Sequence, residues 1–136
     1  MEDLVYGIDL IHAKIKEMSS LTVGMIKERL RNKDYHIKLL EKNRSLEGIF
    51  IWYGAYDDFE DCYLWLGAVG SPGNGAGSLL MNGVLDDMKK HGYCRVHVKA
   101  KTSNDAATAV LRKYGFSNIF IDDKGISYLF RDLQSL

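Results

Sequence analysis

The sequence predicts an α+β domain: a mixed, mostly antiparallel sheet of six to seven strands with a central parallel pair, flanked by about four helices. Three observations carry this. Stretches with apolar residues at helical spacing and stretches rich in β-branched and aromatic residues alternate as helix, helix, three strands, helix, strand, helix, two strands. The loops between the first three strands are short, which favours an antiparallel meander. The strand–helix–strand unit that follows needs a crossover, which sets two strands side by side in parallel.

The first helix is read from Leu4, Ile8, Ile11, Ile15 and Met18, which fall on one stripe. Ser19-Ser20 interrupts, and Val23, Ile26 and Leu30 repeat the spacing in a shorter helix. Arg31–Asp34 is a polar loop. A short strand spans His36–Leu40, and residues 42–45 supply a turn. Gly48–Ala55 is dense in β-branched and aromatic residues and reads as a strand buried on both faces. After the acidic stretch Asp57–Asp61 comes the strand Cys62–Val69. The glycine-rich loop Gly70–Gly77 then runs into a helix with Leu80, Val84 and Met88 on one face, closed by Lys89, Lys90, His91 and Gly92. Arg95–Lys101 alternates, with Val96, Val98 and Ala100 on one side and His97, Lys99 and Lys101 on the other. Thr102–Asp105 opens the last helix, which stops at Gly115. Strands Asn118–Ile121 and Ile126–Phe130 flank the hairpin turn Asp122–Gly125.

At 136 residues, with 46% apolar and 26% charged side chains, the chain is one ordinary domain with one core. Its 18 basic and 18 acidic residues cancel, so no global field gathers nucleic acid or anionic lipid. Glycines and Pro72 interrupt the longest nearly uncharged run, which excludes a membrane span there. The opening residues carry no basic segment followed by an apolar one, so a cytoplasmic location is expected. Cys62 and Cys94 have no metal-ligand spacing; each reads as a small buried hydrophobe, no metal site is expected, and covalent catalysis through either is not expected.

The chemistry-bearing feature is the loop with Gly73, Gly75 and Gly77 between a strand and a helix. Orphan N–H groups of a helix's first turn carry partial positive charge, and removing side chains lets a phosphate reach them. A ligand bearing a diphosphate is the natural guest. After Gly75 the chain reads Ala76-Gly77-Ser78, without the lysine of a P-loop. A dinucleotide fingerprint fails too, because the third glycine falls one residue early and three antiparallel strands precede it.

Gly75-Ala-Gly77-Ser-Leu-Leu-Met resembles the acyl-CoA diphosphate loop of the GNAT (GCN5-related N-acetyltransferase) superfamily. Asn104-Asp-Ala-Ala-Thr-Ala-Val-Leu-Arg-Lys-Tyr-Gly-Phe116 is similar to that family's Asn-x-x-Ala…Tyr-x-x-x-Gly-Phe stretch, at a fitting separation. The resemblance covers Asp61 to Phe116 and implies acetyl-CoA (CoA) as cosubstrate. Ala68 and Val69 would bond the pantetheine arm, and Gly73, Asn74, Gly75, Ala76, Gly77 and Ser78 would hold the diphosphate. Asn104 and Ala107 would face the cofactor where the last helix opens. The two parallel strands would splay to seat the thioester between Val69 and Val96–Ala100. Two positions depart from the pattern: Pro72 replaces a glutamine or arginine, and Leu111 aligns with a tyrosine that often serves as general acid.

The implied activity is transfer of an acetyl group to a primary amine of a small molecule or protein, by direct attack in a ternary complex. Such attack needs a base, positioning and oxyanion stabilisation, for which the Val69 amide is the candidate donor. Glu60, Asp61 and His97 are candidate bases, and Tyr114 the candidate acid with Tyr128 behind it. The bland alternatives are a solvated acidic loop and a packed strand histidine. Tyr63 and Trp65 offer an aromatic wall or ordinary sheet packing; His12, His36 and His91 read as surface or helix-end residues; Lys99 and Lys101 touch the 3′ side of CoA or stay solvated. Acidic residues Asp57–Asp61 near the acceptor mouth would favour a cationic amine. Two rivals stand beside the enzyme reading: a degenerate GNAT-fold protein that binds CoA or a protein partner without turnover, and a nucleotide-binding module. The sequence leaves open a homodimer through the edge of the final hairpin.

Overall fold

The computed structural model describes residues 23–42, 45–54, 60–69 and 75–133. The helix expected at Leu4–Met18 lies outside them. Helix α1 (Val23–Leu30) buries Ile26 and Leu30, one turn apart, and leaves its charged residues in water. Strands β1 (Tyr35–Lys42), β2 (Ser45–Gly54) and β3 (Asp61–Val69) follow as an antiparallel meander. Ile49 to Tyr53 are all buried, as a strand covered on both faces requires.

Helix α2 (Ala76–Lys90) crosses to β4 (Arg95–Lys101), which pairs with β3 in parallel. Its end is a Schellman motif: Gly92, at φ +89°, donates to the Lys89 carbonyl, and Tyr93 to that of Met88. Helix α3 (Asp105–Lys113) ends the same way, with Gly115 at φ +88° bonding to Arg112 and Phe116 to Leu111. Strands β5 (Ser117–Ile121) and β6 (Ile126–Asp132) close the chain as a hairpin. The Asp122 carboxylate accepts from the Lys124 and Ile126 amides and fixes its turn.

The sheet has six strands in the order β1-β2-β3-β4-β6-β5, with β3–β4 its parallel pair, and three helices stand among the described residues. On one face α2 and α3 lay Leu80, Val84, Met88, Leu111 and their neighbours over Trp52, Cys62, Leu64, Val96, Val98 and Leu129. On the other face α1 covers Ile49, Ile51, Tyr53 and Leu66.

The alternation of a regular strand breaks once along β3. Ile51 pairs with Leu66 but Trp52 with Leu64, so Trp65 is the extra residue of a β-bulge. Leu66 therefore joins Tyr63 and Trp65 on the α1 side instead of following Leu64 into the α2 core. Past this point β3 and β4 part. Their pairing ends at Leu64 and Val98, while β3 stays bonded to β2 as far as Val69 and β4 to β6 as far as Lys101.

Candidate functional site

The splayed pair leaves a gap between residues 65–69 and 99–101, and α2 is the next element after β3. At the start of α2, Gly75 adopts φ +86°, a conformation that side chains resist, and a Cβ built there meets nothing within 4 Å. Gly75 gives its carbonyl to the Leu79 amide, and among the described residues no side chain caps the helix. By helix geometry the N–H groups of Ala76, Gly77 and Ser78 have no carbonyl behind them within α2. Three orphan donors and the positive end of the dipole are features that suit a phosphate. Gly73 and Asn74 lie outside the described residues. Asn104 caps α3 by accepting from the Ala107 amide at 3.1 Å, so that amide is engaged within the helix.

Two of the predicted bases meet. Parallel pairing sets Asp61 opposite Arg95 and Tyr63 opposite His97. The Asp61 carboxylate, 16% exposed, accepts from Arg95 Nε at 2.7 Å and lies 3.0 Å from His97 Nε2. An anionic carboxylate selects the tautomer with its proton on Nε2, which leaves the Nδ1 lone pair free to take a proton. Glu60 is exposed and lies 3.9 Å from Arg95. Tyr114 joins neither group. It packs at the end of α3 on the opposite face, in an open cleft with Asn82, Lys113, Ser117 and Arg131.

An aromatic row crosses the sheet beside His97. Tyr53 and Tyr63 stack at 5.5 Å, and Phe120 and Tyr128 at 4.3 Å. Between the two pairs stands Lys99, with Nζ 5.8 Å from the Tyr63 ring centre and 5.1 Å from that of Tyr128. Arg29 donates to the Tyr53 hydroxyl and lies 5.6 Å over Trp65. Burial pushes the Tyr63 phenol up to about 12, with the neighbouring Tyr53 adding to it. Tyr128 is raised by desolvation and by the hydrogen bond it donates to Asp122. Burial first, then the Asp61 charge, push the Cys62 thiol up to about 12. That keeps it protonated and unsuited to covalent catalysis. Among the described residues no three His, Cys, Asp or Glu side chains cluster as a metal site.

The profile of the acetyltransferase (GNAT) family matches residues 50–116. The chain carries a GNAT-family domain. No curated protein sequence matches it, but many solved structures share its fold. The ribosomal-protein-S18-alanine N-acetyltransferase from Escherichia coli is 16% identical, covering 100% of this chain and 91% of its own, with a TM-score of 0.80. PaiA N-acetyltransferase from Thermoplasma acidophilum, in complex with coenzyme A, is 15% identical over 96% of this chain and 93% of its own (TM-score 0.76). An aminoglycoside 6′-acetyltransferase type Ii is 14% identical over 98% and 91% (TM-score 0.82). At these identities the likeness is one of fold.

Against the GNAT pattern, Leu111 has a plain structural role: it is 6% exposed and fills the core under α3. The aromatic row and the Asp61–His97 contact were not legible as units. Each joins residues far apart in sequence, and only the register aligns them. The one available signal was that Tyr53, Tyr63, His97, Lys99 and Tyr128 hold alternate positions on their strands.

Proposed function

We propose that this GNAT-family chain is an N-acyltransferase that moves the acetyl group of acetyl-CoA onto a primary amine within a ternary complex. The observation supporting this most is the parting of β3 from β4 beside the uncapped, glycine-opened start of α2. The gap suits an extended pantetheine arm, and the helix start suits a diphosphate. Ala68, Val69 and the loop from Gly73 to Ser78 are the residues that would hold the CoA moiety, and Lys101, exposed at the end of β4, suits its phosphates. When bound, acetyl-CoA supplies an acetyl group activated as a thioester. His97 takes the acceptor's proton on Nδ1, and Asp61 orients the ring and stabilises the imidazolium that forms. A thiolate leaves readily near neutral pH, so the lack of a tyrosine at Leu111 is tolerable.

The acceptor is a cationic amine of a small molecule or a protein, because π-faces attract ammonium groups, as the Tyr63 and Tyr128 rings do that of Lys99. Two copies pair through β5. This edge strand is uncharged, and Ile119, Phe120 and Ile121 are each more than half exposed. Antiparallel pairing centred on Ile119 brings no like charges together. Both cysteines are free, which suits the reducing cytoplasm. Among the described residues no helix is long and apolar enough to cross a membrane.

Leu111 favours a second reading, a CoA-binding GNAT-fold protein without turnover. Thermal shift with acetyl-CoA, followed by thiol release against a panel of amines, separates the two. Stabilisation with thiol release supports the enzyme; stabilisation without release on any amine supports the binder.

A further inference from the structure

The Lys99 ammonium occupies the place that an acceptor's ammonium would take. It is the first residue of β4 beyond the last parallel pair, Leu64–Val98, and so stands on the lip of the gap. Its side chain lies on the face of His97, two residues away on the same strand. The ammonium rests between the Tyr63 ring of β3 and the Tyr128 ring of β6. Phe120 backs Tyr128 and Tyr53 backs Tyr63, so the seat is walled by aromatics on both sides. Among the described residues no carboxylate pairs with Lys99; its side chain is exposed, and the ammonium is shared between the two π-faces and water.

We propose that Lys99 is an internal acceptor, acetylated by the chain's own acetyl-CoA, and that this modification opens the aromatic seat to a cationic amine. The proposal rests on the acyltransferase reading above. In the step, the Lys99 ammonium gives a proton to His97 Nδ1, directly or through water. The neutral Nζ forms a bond to the thioester carbonyl carbon, the carbon–sulfur bond breaks, and CoA leaves as the thiolate. That thiolate collects the proton held by His97, and the second proton of the attacking nitrogen passes to water as the amide forms, so one proton is released overall. One acetyl group moves, one free CoA thiol appears, and no electrons are exchanged. Lys99 is tethered beside the gap, so its attack has the advantage of an intramolecular reaction over attack by a dissolved amine. Acetylation then removes the cation and its attraction to the rings. Two ammonium groups repel each other in one seat, so the unmodified lysine excludes a cationic acceptor and the acetylated one does not.

The experiment has two arms on the full chain, preceded by calorimetry with acetyl-CoA. In the first arm the wild type and Lys99→Arg are incubated with acetyl-CoA, and peptide mass mapping compares Lys99 with the exposed Lys27, Lys90 and Lys113. The account expects one acetyl group on Lys99, at a rate at least about tenfold above those sites. Tyr128→Leu should slow it, and urea-unfolded protein should lose the preference. In the second arm spermidine, without acetyl-CoA, is titrated into the wild type and Lys99→Gln. The account expects about tenfold tighter binding to Lys99→Gln, because the internal competitor is gone. Acetyl-CoA binding and turnover on a free amine, with Lys99 unmodified or no faster than the surface lysines, overturns this inference and leaves the function standing. Equal spermidine affinity in the two forms also overturns it. Absence of acetyl-CoA binding overturns the acyltransferase reading and this inference with it.

Discussion

Replacing Asp61 by asparagine tests the base assignment without altering shape. The carboxylate accepts from Arg95 at 2.7 Å and meets His97 at 3.0 Å, and it is only 16% exposed. Asparagine offers one acceptor oxygen, so its amide nitrogen either opposes the guanidinium or faces the imidazole, which then turns to the tautomer whose Nε2 accepts and whose Nδ1 carries the proton and is lost as a base. A hydrogen bond to a charged group contributes about 1.5–3 kcal/mol when well shielded. Arg95 and His97 are 39% and 37% exposed, and water makes good part of what is lost. The expected destabilisation is therefore about 1–2 kcal/mol, read by urea unfolding. In catalysis the loss is larger, because His97 loses both the group that fixes its tautomer and the charge that stabilises its protonated form. General-base catalysis contributes about 10²–10⁴-fold. Asp61→Asn should then lower kcat about 100-fold, with KM for acetyl-CoA little changed, in a thiol-release assay at saturating acetyl-CoA. A kcat within about twofold of wild type, in a variant that loses the expected stability, would refute the role of this pair.

The other predictions are structural. Gly54→Ala should cost about 1–3 kcal/mol, since the new Cβ would press on the Tyr93 hydroxyl, and Gly54→Ala with Tyr93→Phe should recover part of it in the same urea assay. His36 stacks on Trp52 at 4.2 Å, and its Nε2 is buried with no hydrogen-bond partner among the described residues; burial lowers its pKa although the Asp34 carboxylate lies 3.7 Å away. The unfolded chain therefore takes up this proton first, so stability holds above about pH 6.5 and falls as pH drops toward the lower folded value; His36→Gln should flatten that slope. Ile119→Lys with Ile121→Lys should convert a dimer to a monomer in sedimentation velocity, and a wild type that is monomeric at high concentration would contradict β5 pairing.

Much of the fold was legible because single residues declare it. Gly92 and Gly115 end their helices at the only backbone conformation that a Schellman motif accepts there. The run from Ile49 to Tyr53 shows by its lack of polar residues that both faces are covered. The bulge at Trp65 left no trace, since large apolar residues precede and follow it and either register buries them. Asp61 and His97 were each visible as candidates, but their contact depends on which residue of β4 faces Asp61 across a parallel pair. The same register lays Lys99, exposed to solvent as expected, between the Tyr63 and Tyr128 rings, a contact that only the strand pairing reveals. Tyr114, the candidate acid, stands at the end of α3 against the core on the other face of the sheet.

The most direct test of the whole account is calorimetric titration of acetyl-CoA into the wild type and Gly77→Asp. The substitution sets a carboxylate among the amides meant for a diphosphate, at a helix start where an acidic side chain favours the helix, so folding is preserved. Saturable binding to the wild type, weakened at least about tenfold in a folded Gly77→Asp, is the predicted result. Equal affinity in the two proteins, or no binding to either, would contradict the claim that the start of α2 receives coenzyme A.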